Sequence, residues 1–271
     1  MKPFAFSPEF GYSQPCGGNA PALAAFRRVN SPPSFGPKEA WMDPVVLIAL
    51  FAFLFLATHV GISSGAVRPH LVAALGEQPY RGLYSLVSFA TFVPLAFEFG
   101  YHKHAGAMLW NLRGVEPVRW LAWALMLAAV VLFVAGMMNP SPASIGAPSS
   151  SSNARGILKL TRHPGFVAFG IFGFAHMLMN GWAGDLIFFG SFPALAILGG
   201  LHQDRRKIAE IGEPYRRLVA ETSFFPGLAI LAGRQRWTSN DTPWRAIGIG
   251  AALTVVLVAV HPMLFGGRPL G

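Results

Sequence analysis

Residues 160–181 read LTRHPGFVAFGIFGFAHMLMNG: a basic, proline-marked entrance at Arg162-His163-Pro164, then an apolar run that holds one imidazole, His176, deep inside it. Pro164 suits the first turn of a helix, where its missing N–H is no loss and its fixed φ is already helical. The run after it has the apolarity of a membrane crossing, not the one-sided pattern of a soluble helix. The chain repeats this pattern. Of its 271 residues 53% are hydrophobic and only 12% charged, whereas about a quarter are charged in soluble domains; the mean hydropathy is +0.45.

Six apolar runs, at about 44–62, 82–101, 120–138, 165–182, 185–202 and 244–261, approach the ~20 residues that a hydrocarbon core of about 30 Å demands. The fold class expected is all-α: a polytopic membrane helical bundle with about six transmembrane helices. The fourth and fifth runs are joined by so short a turn that they form a tight hairpin. FFPGLAILAG, 224–233, is too brief to cross and is expected to lie at the interface or to re-enter.

Two domains are expected: a disordered or untranslated tail over 1–41, rich in Pro, Gly and Ser, and a transmembrane domain over 42–271. Met42 stands directly before the first run and is a second candidate start. The tail has no basic segment leading into an apolar one, as a secretory signal would. The lone Cys16 rules out an internal disulfide and any multi-cysteine metal site.

The net charge of +9 has a membrane explanation. Counting Arg245 at the edge of the sixth run, thirteen of the 21 lysines and arginines fall in the loops after the first, third and fifth runs, with Arg205-Arg206-Lys207 and Arg216-Arg217 in the loop 203–243. By the positive-inside rule that loop is expected in the cytoplasm and both termini opposite, in the inner membrane. Nucleic acid is not expected as a partner, since no basic helix or aromatic-interleaved sheet motif is present; membrane lipid and a hydrophobic small molecule are.

Six of the eight histidines lie in or at the ends of the runs. His102, His202 and His261 sit where an amphipathic ring is comfortable at an interface. His59 and His176 lie inside apolar sequence, where an ionisable side chain needs a reason. Neutral imidazoles from two helices are suitable metal ligands and make a bis-imidazole haem site; a structural hydrogen bond between helices is the competing reading. At ~1.5 Å rise per residue His59 is about 5 Å from the cytoplasmic end of its run and His176 about 16 Å from its own, a mismatch in depth.

THVGISS (58–64), LGEQPYRGLYSLVSF (75–89), the stretch 160–181 and the closing HPMLFGGRPL (261–270) together resemble the NnrU family of bacterial membrane proteins, which also contains the 15-cis-zeta-carotene isomerases. The resemblance covers about 44–269. It implies haem b held by His59 and His176, cis–trans isomerisation of a polyene in the isomerase branch, and a link to nitrite and nitric-oxide respiration in the bacterial one. The plant isomerases carry a cysteine one turn before the second ligand; Gly173 stands there in this chain.

A second resemblance, through TRHPGFVAFG (161–170) and DRRKIAEIGEPYRRL (204–218), is to isoprenylcysteine carboxyl methyltransferases. It implies S-adenosylmethionine held by Arg162 and His163, with Glu213, Tyr215 and Arg216 nearby; Arg suits a carboxylate through paired hydrogen bonds. The acidic pair usual in that family is replaced by Gln203-Asp204. An interfacial anchor facing lipid phosphates is the plainer role for Arg162. Arg68 and Arg81 are candidates for haem propionates or an anionic substrate group, or else anchors beside Tyr80 and Tyr84. Glu98, late in the second run, is expected to meet His102 or His104.

Overall fold

The computed structural model describes residues 42–143 and 154–266. The expected tail at 1–41, and the last residues of the closing motif, lie outside them. Five helices are long and apolar enough to span a membrane: α1 (Pro44–Ile62), α3 (Glu77–Tyr101), α4 (Glu116–Met138), α7 (Ala183–Ile211) and α10 (Trp244–Phe265). The shorter apolar helix α6 (Pro164–Met179) makes the sixth member. The all-helical bundle read from the sequence is the fold observed.

Proline opens three of these helices, α1, α4 and α6, and one of them also has a side-chain cap. Asp43 caps α1, its Oδ1 accepting from the backbone of Val45 (2.7 Å) and Val46 (3.4 Å), and Pro44 follows at the first position. Pro164 opens α6 in the same way. Leu86, Phe89, Phe97 and Val255 are more than half exposed on the outside of the bundle, the surface that lipid covers.

Inside, small residues let the helices approach. A Cβ at Gly173 on α6 would overlap the Phe189 carbonyl and lie 2.7 Å from Pro193 Cδ, both on α7. A Cβ at Gly250 on α10 would lie 2.8 Å from Val131 Cγ2 on α4. One apolar cluster joins Ile48, Ala52 and Phe55 of α1 to Leu95 of α3 and to Phe188 and Phe189 of α7.

Two features were not expected. The α6–α7 turn contains a strand, β2 (Gly181–Trp182), that pairs antiparallel with β1 (Met108–Trp110), a two-stranded clasp. The segment 203–243 also begins as helix: α7 continues to Ile211, breaks at Gly212 in the left-handed region (φ +76°), and resumes as α8 (Glu213–Glu221). Short helices α2 (Arg68–Leu75), α5 (Ile157–Leu160) and α9 (Leu228–Leu231), with a 3-10 turn at Ser239–Asp241, complete the helical elements among the described residues. The 224–233 piece does not cross; Gly227 N–H donates to Leu160 O (2.9 Å), so it lies beside α5.

Candidate functional site

His59, one turn before the end of α1, is enclosed by α3. Its ring lies 5.3 Å from Phe55 and 4.9 Å from Tyr84 between centroids. Nδ1 meets Ser88 Oγ at 3.2 Å, and that hydroxyl donates to Tyr84 O at 2.8 Å. The His59 carbonyl accepts from Ser63 Oγ (2.9 Å) and Tyr84 OH (3.4 Å). His202 of α7 reaches the same cluster, Nε2–H donating to Ser63 O (2.9 Å).

His176 sits in the last turn of α6. Nδ1–H donates to Phe172 O at 2.9 Å, and the ring stacks on Phe189 at 4.5 Å. Asn180 Nδ2 donates to the His176 carbonyl (2.9 Å). His261 of α10 is close enough to act on it electrostatically.

Four phenyl rings stand between the two imidazoles. Phe55 touches His59, Phe92 touches Phe55 (5.3 Å), Phe192 touches Phe92 (6.3 Å), and Phe172 touches both Phe192 (5.1 Å) and His176 (4.3 Å). The mismatch in depth seen in the sequence persists: His59 lies in the cluster that His202 reaches, and His176 on Phe189, thirteen residues earlier along α7. As donors the two residues fit an iron, since each holds Nδ1 in a hydrogen bond and makes none through Nε2 among the described residues. One iron bound to both requires the rings to part and α1 and α6 to shift along each other. Among the described residues no group of three or more His, Cys, Asp or Glu could hold a metal ion.

The Arg-His-Pro entrance is closed on itself. Arg162 Nε donates to both oxygens of Asp204 (3.2 and 2.9 Å) and Nη2 to Oδ2 (2.6 Å). His163 Nε2–H and the Tyr215 hydroxyl donate to Oδ1 (2.8 and 2.7 Å). All four residues are buried. Burial, with the Asp204 carboxylate beside it, pushes the Tyr215 phenol well above its ordinary range. The donors that an S-adenosylmethionine carboxylate needs are therefore already engaged. Glu213 and Arg216 are both largely exposed, 3.9 Å apart.

Arg68 and Arg81 are likewise paired. Arg68 bridges Glu77 (3.0 Å) and Glu210 (3.0 Å), with its guanidinium over the Tyr80 ring; Arg81 Nε reaches Glu77 at 3.1 Å. Glu98 meets His102 (2.9 Å), one of the two partners expected.

His104 instead meets Asp185, the constellation that reading the sequence missed. Fully buried Asp185 accepts from His104 Nδ1–H (2.6 Å) and its backbone N–H (3.1 Å). Arg113 Nη2 donates to His104 Nε2 (3.3 Å) and to Asn180 Oδ1 (2.7 Å), and Trp182 packs on both the His104 ring (4.2 Å) and the Arg113 guanidinium (4.8 Å). His104 holds a left-handed backbone (φ +61°), the only such non-glycine among the described residues. The 81-residue separation of the pair hid it; a histidine just past the end of one span and an aspartate at the start of another, on the same side, was the available signal.

The family described as NnrU protein matches residues 46–269. The chain belongs to the NnrU family. It is 27% identical over 250 residues to the chloroplastic 15-cis-zeta-carotene isomerase of Zea mays, covering 86% of this chain and 66% of that one. Against the Arabidopsis thaliana protein of the same name the identity is 27% over 234 residues, 83% and 62% of the two chains. The chain thus spans a little under two thirds of the length of these relatives. No solved structure matches.

Proposed function

We propose that this NnrU-family protein binds haem b within the membrane and supports a redox or cis–trans isomerisation reaction on a hydrophobic substrate. The observation that carries the reading is His176. A carbonyl accepts and never donates, so the 2.9 Å contact with Phe172 O places the ring proton on Nδ1. Nε2 then offers a lone pair from a ring packed on Phe189 and Phe172. An anchored Nδ1 and a bare Nε2 form the arrangement by which proteins present histidine to a metal.

His59 and His176 would hold the iron, and the iron would supply a change of oxidation state tuned by its ligands and their burial. The chain's own residues do the rest. Phe55, Phe92, Phe172, Phe189 and Phe192 exclude water and give a flat, apolar lining suited to a hydrocarbon. Ser88 and Phe172 O hold the ring protons at the two Nδ1 atoms. The likeness to two 15-cis-zeta-carotene isomerases supports a polyene as the substrate class, and the abundance of basic residues in 203–243 supports a cytoplasmic-membrane orientation with that segment inside.

The test is an absorption spectrum of the detergent-purified protein, oxidised and dithionite-reduced, after expression with ample haem. A Soret band with sharp reduced α and β bands is expected, lost in His176→Ala and in His59→Ala and kept in Arg162→Ala. A protein without a Soret band overturns the reading. Haem kept in His59→Ala but lost in His261→Ala overturns the assignment of His59 and moves the second ligand to α10.

A further inference from the structure

We propose that Ser88 is the positioning residue of His59: its hydroxyl holds the imidazole proton on Nδ1 and so leaves the Nε2 lone pair free to bind. The functional meaning of this rests on the ligand role given to His59 above; the proton assignment rests on geometry alone.

A serine hydroxyl has one proton to give and lone pairs to accept with. Ser88 Oγ stands 2.8 Å from Tyr84 O and 3.2 Å from His59 Nδ1. Two oxygens without a proton between them repel at 2.8 Å, and the carbonyl has no proton, so the serine proton lies on the Tyr84 side. Towards His59 only the oxygen's lone pair remains. The 3.2 Å contact is then a hydrogen bond from Nδ1–H, and a neutral ring protonated there carries its lone pair on Nε2.

The surroundings hold the ring in this setting. Phe55 and Tyr84 pack against it, and the His59 carbonyl is held by Ser63 and Tyr84. Ser88 thus does for His59 what a backbone carbonyl does for His176. The two acceptors are unequal: a hydroxyl at 3.2 Å polarises its imidazole less than a carbonyl at 2.9 Å, which makes His59 the weaker donor of the pair.

The experiment uses the full chain, labelled with 15N-histidine, purified without added haem. Ring-nitrogen resonances separate a protonated nitrogen from a bare one, and His59→Gln assigns the His59 signals. The wild type is expected to show a protonated Nδ1 and bare Nε2 at His59. Ser88→Ala is expected to give a mixture of both tautomers, and Ser88→Thr, which keeps the hydroxyl, to restore the single one. A wild-type His59 protonated on Nε2, or a Ser88→Ala spectrum unchanged from wild type, overturns the proposal. A second arm titrates iron protoporphyrin into the same samples. Ser88→Ala is expected to bind about 10- to 100-fold more weakly, the usual loss on removing a ligand's hydrogen-bond partner, with Ser88→Thr near wild type. A wild type that binds no porphyrin while Ser88→Ala still mixes the tautomers refutes the haem reading and leaves the Ser88 assignment standing.

Discussion

At the scale of single residues, Asp204 is the most heavily used carboxylate described. It neutralises a buried guanidinium and takes hydrogen bonds from His163 and Tyr215. Removing one partner of a buried pair strands the other charge, at a cost of about 3–5 kcal/mol. Asp204→Ala is therefore expected to lower unfolding stability by that order in detergent, and Asp204→Asn by less; an alanine variant as stable as wild type would show that the network carries no weight. The sequence did show an acidic residue here, but it read as a departure from an acidic pair. That Asp204 faces Arg162 across 42 residues depends on how α7 lies against α6, which no local pattern encodes.

Asp241 gives a pH-dependent counterpart. Burial raises its carboxyl, but hydrogen bonds from Lys159 and Thr238 outweigh this and hold it at about 2, below the ordinary 3.8. A depressed carboxyl stabilises the fold above the unfolded value and loses that contribution as pH falls from about 3.8 towards 2. Thermal melting of wild type and Asp241→Asn should therefore differ near pH 6, the gap narrowing from about pH 4 and closing at about pH 2. A gap that persists at pH 2 would contradict the assignment.

At the scale of elements, the spans were legible because bilayer thickness sets their length and lipid sets their composition. The boundaries of α1 came directly from its apolar run, and the structure adds the Asp43 cap in front of it. Less was visible where helices outlast the bilayer, as α7 does through Arg205-Arg206-Lys207. Ser88 was illegible because a serine in a span is ordinary; its meaning comes from a histidine 29 residues away on another helix. The tightest contact of α6 with α7 yields a prediction of its own. Any Cβ at Gly173 collides with backbone and Pro193, so Gly173→Ala is expected to cost about 1–3 kcal/mol by overpacking. Gly173→Cys, with a larger side chain, should cost at least as much, and unchanged melting of both variants would show that the helices yield freely.

At the scale of the molecule, the polar groups divide between two ends. One holds Arg162, Asp204, Tyr215 and the Arg68–Glu77–Glu210 ion pairs; the other holds Asp185, His104, Arg113 and the β1–β2 clasp. If the basic end is cytoplasmic, a cysteine at exposed Arg217 and one at exposed Asn111, each in a Cys16→Ser background, should react with a membrane-impermeant maleimide from opposite sides of sealed vesicles. Labelling of both from the same side would refute the six-span arrangement.

These two ends are attached to one rod. Over 29 residues α7 extends about 44 Å, with Asp185 in its first turn, Asp204 and Glu210 in its last third, and Pro193 near its middle, where one backbone hydrogen bond is missing. A helix held at both ends and short of one hydrogen bond between them is most easily bent at the proline. A bend there falls beside Phe192 and one turn from Phe189, the rings by which α7 packs on the phenyl column and on His176.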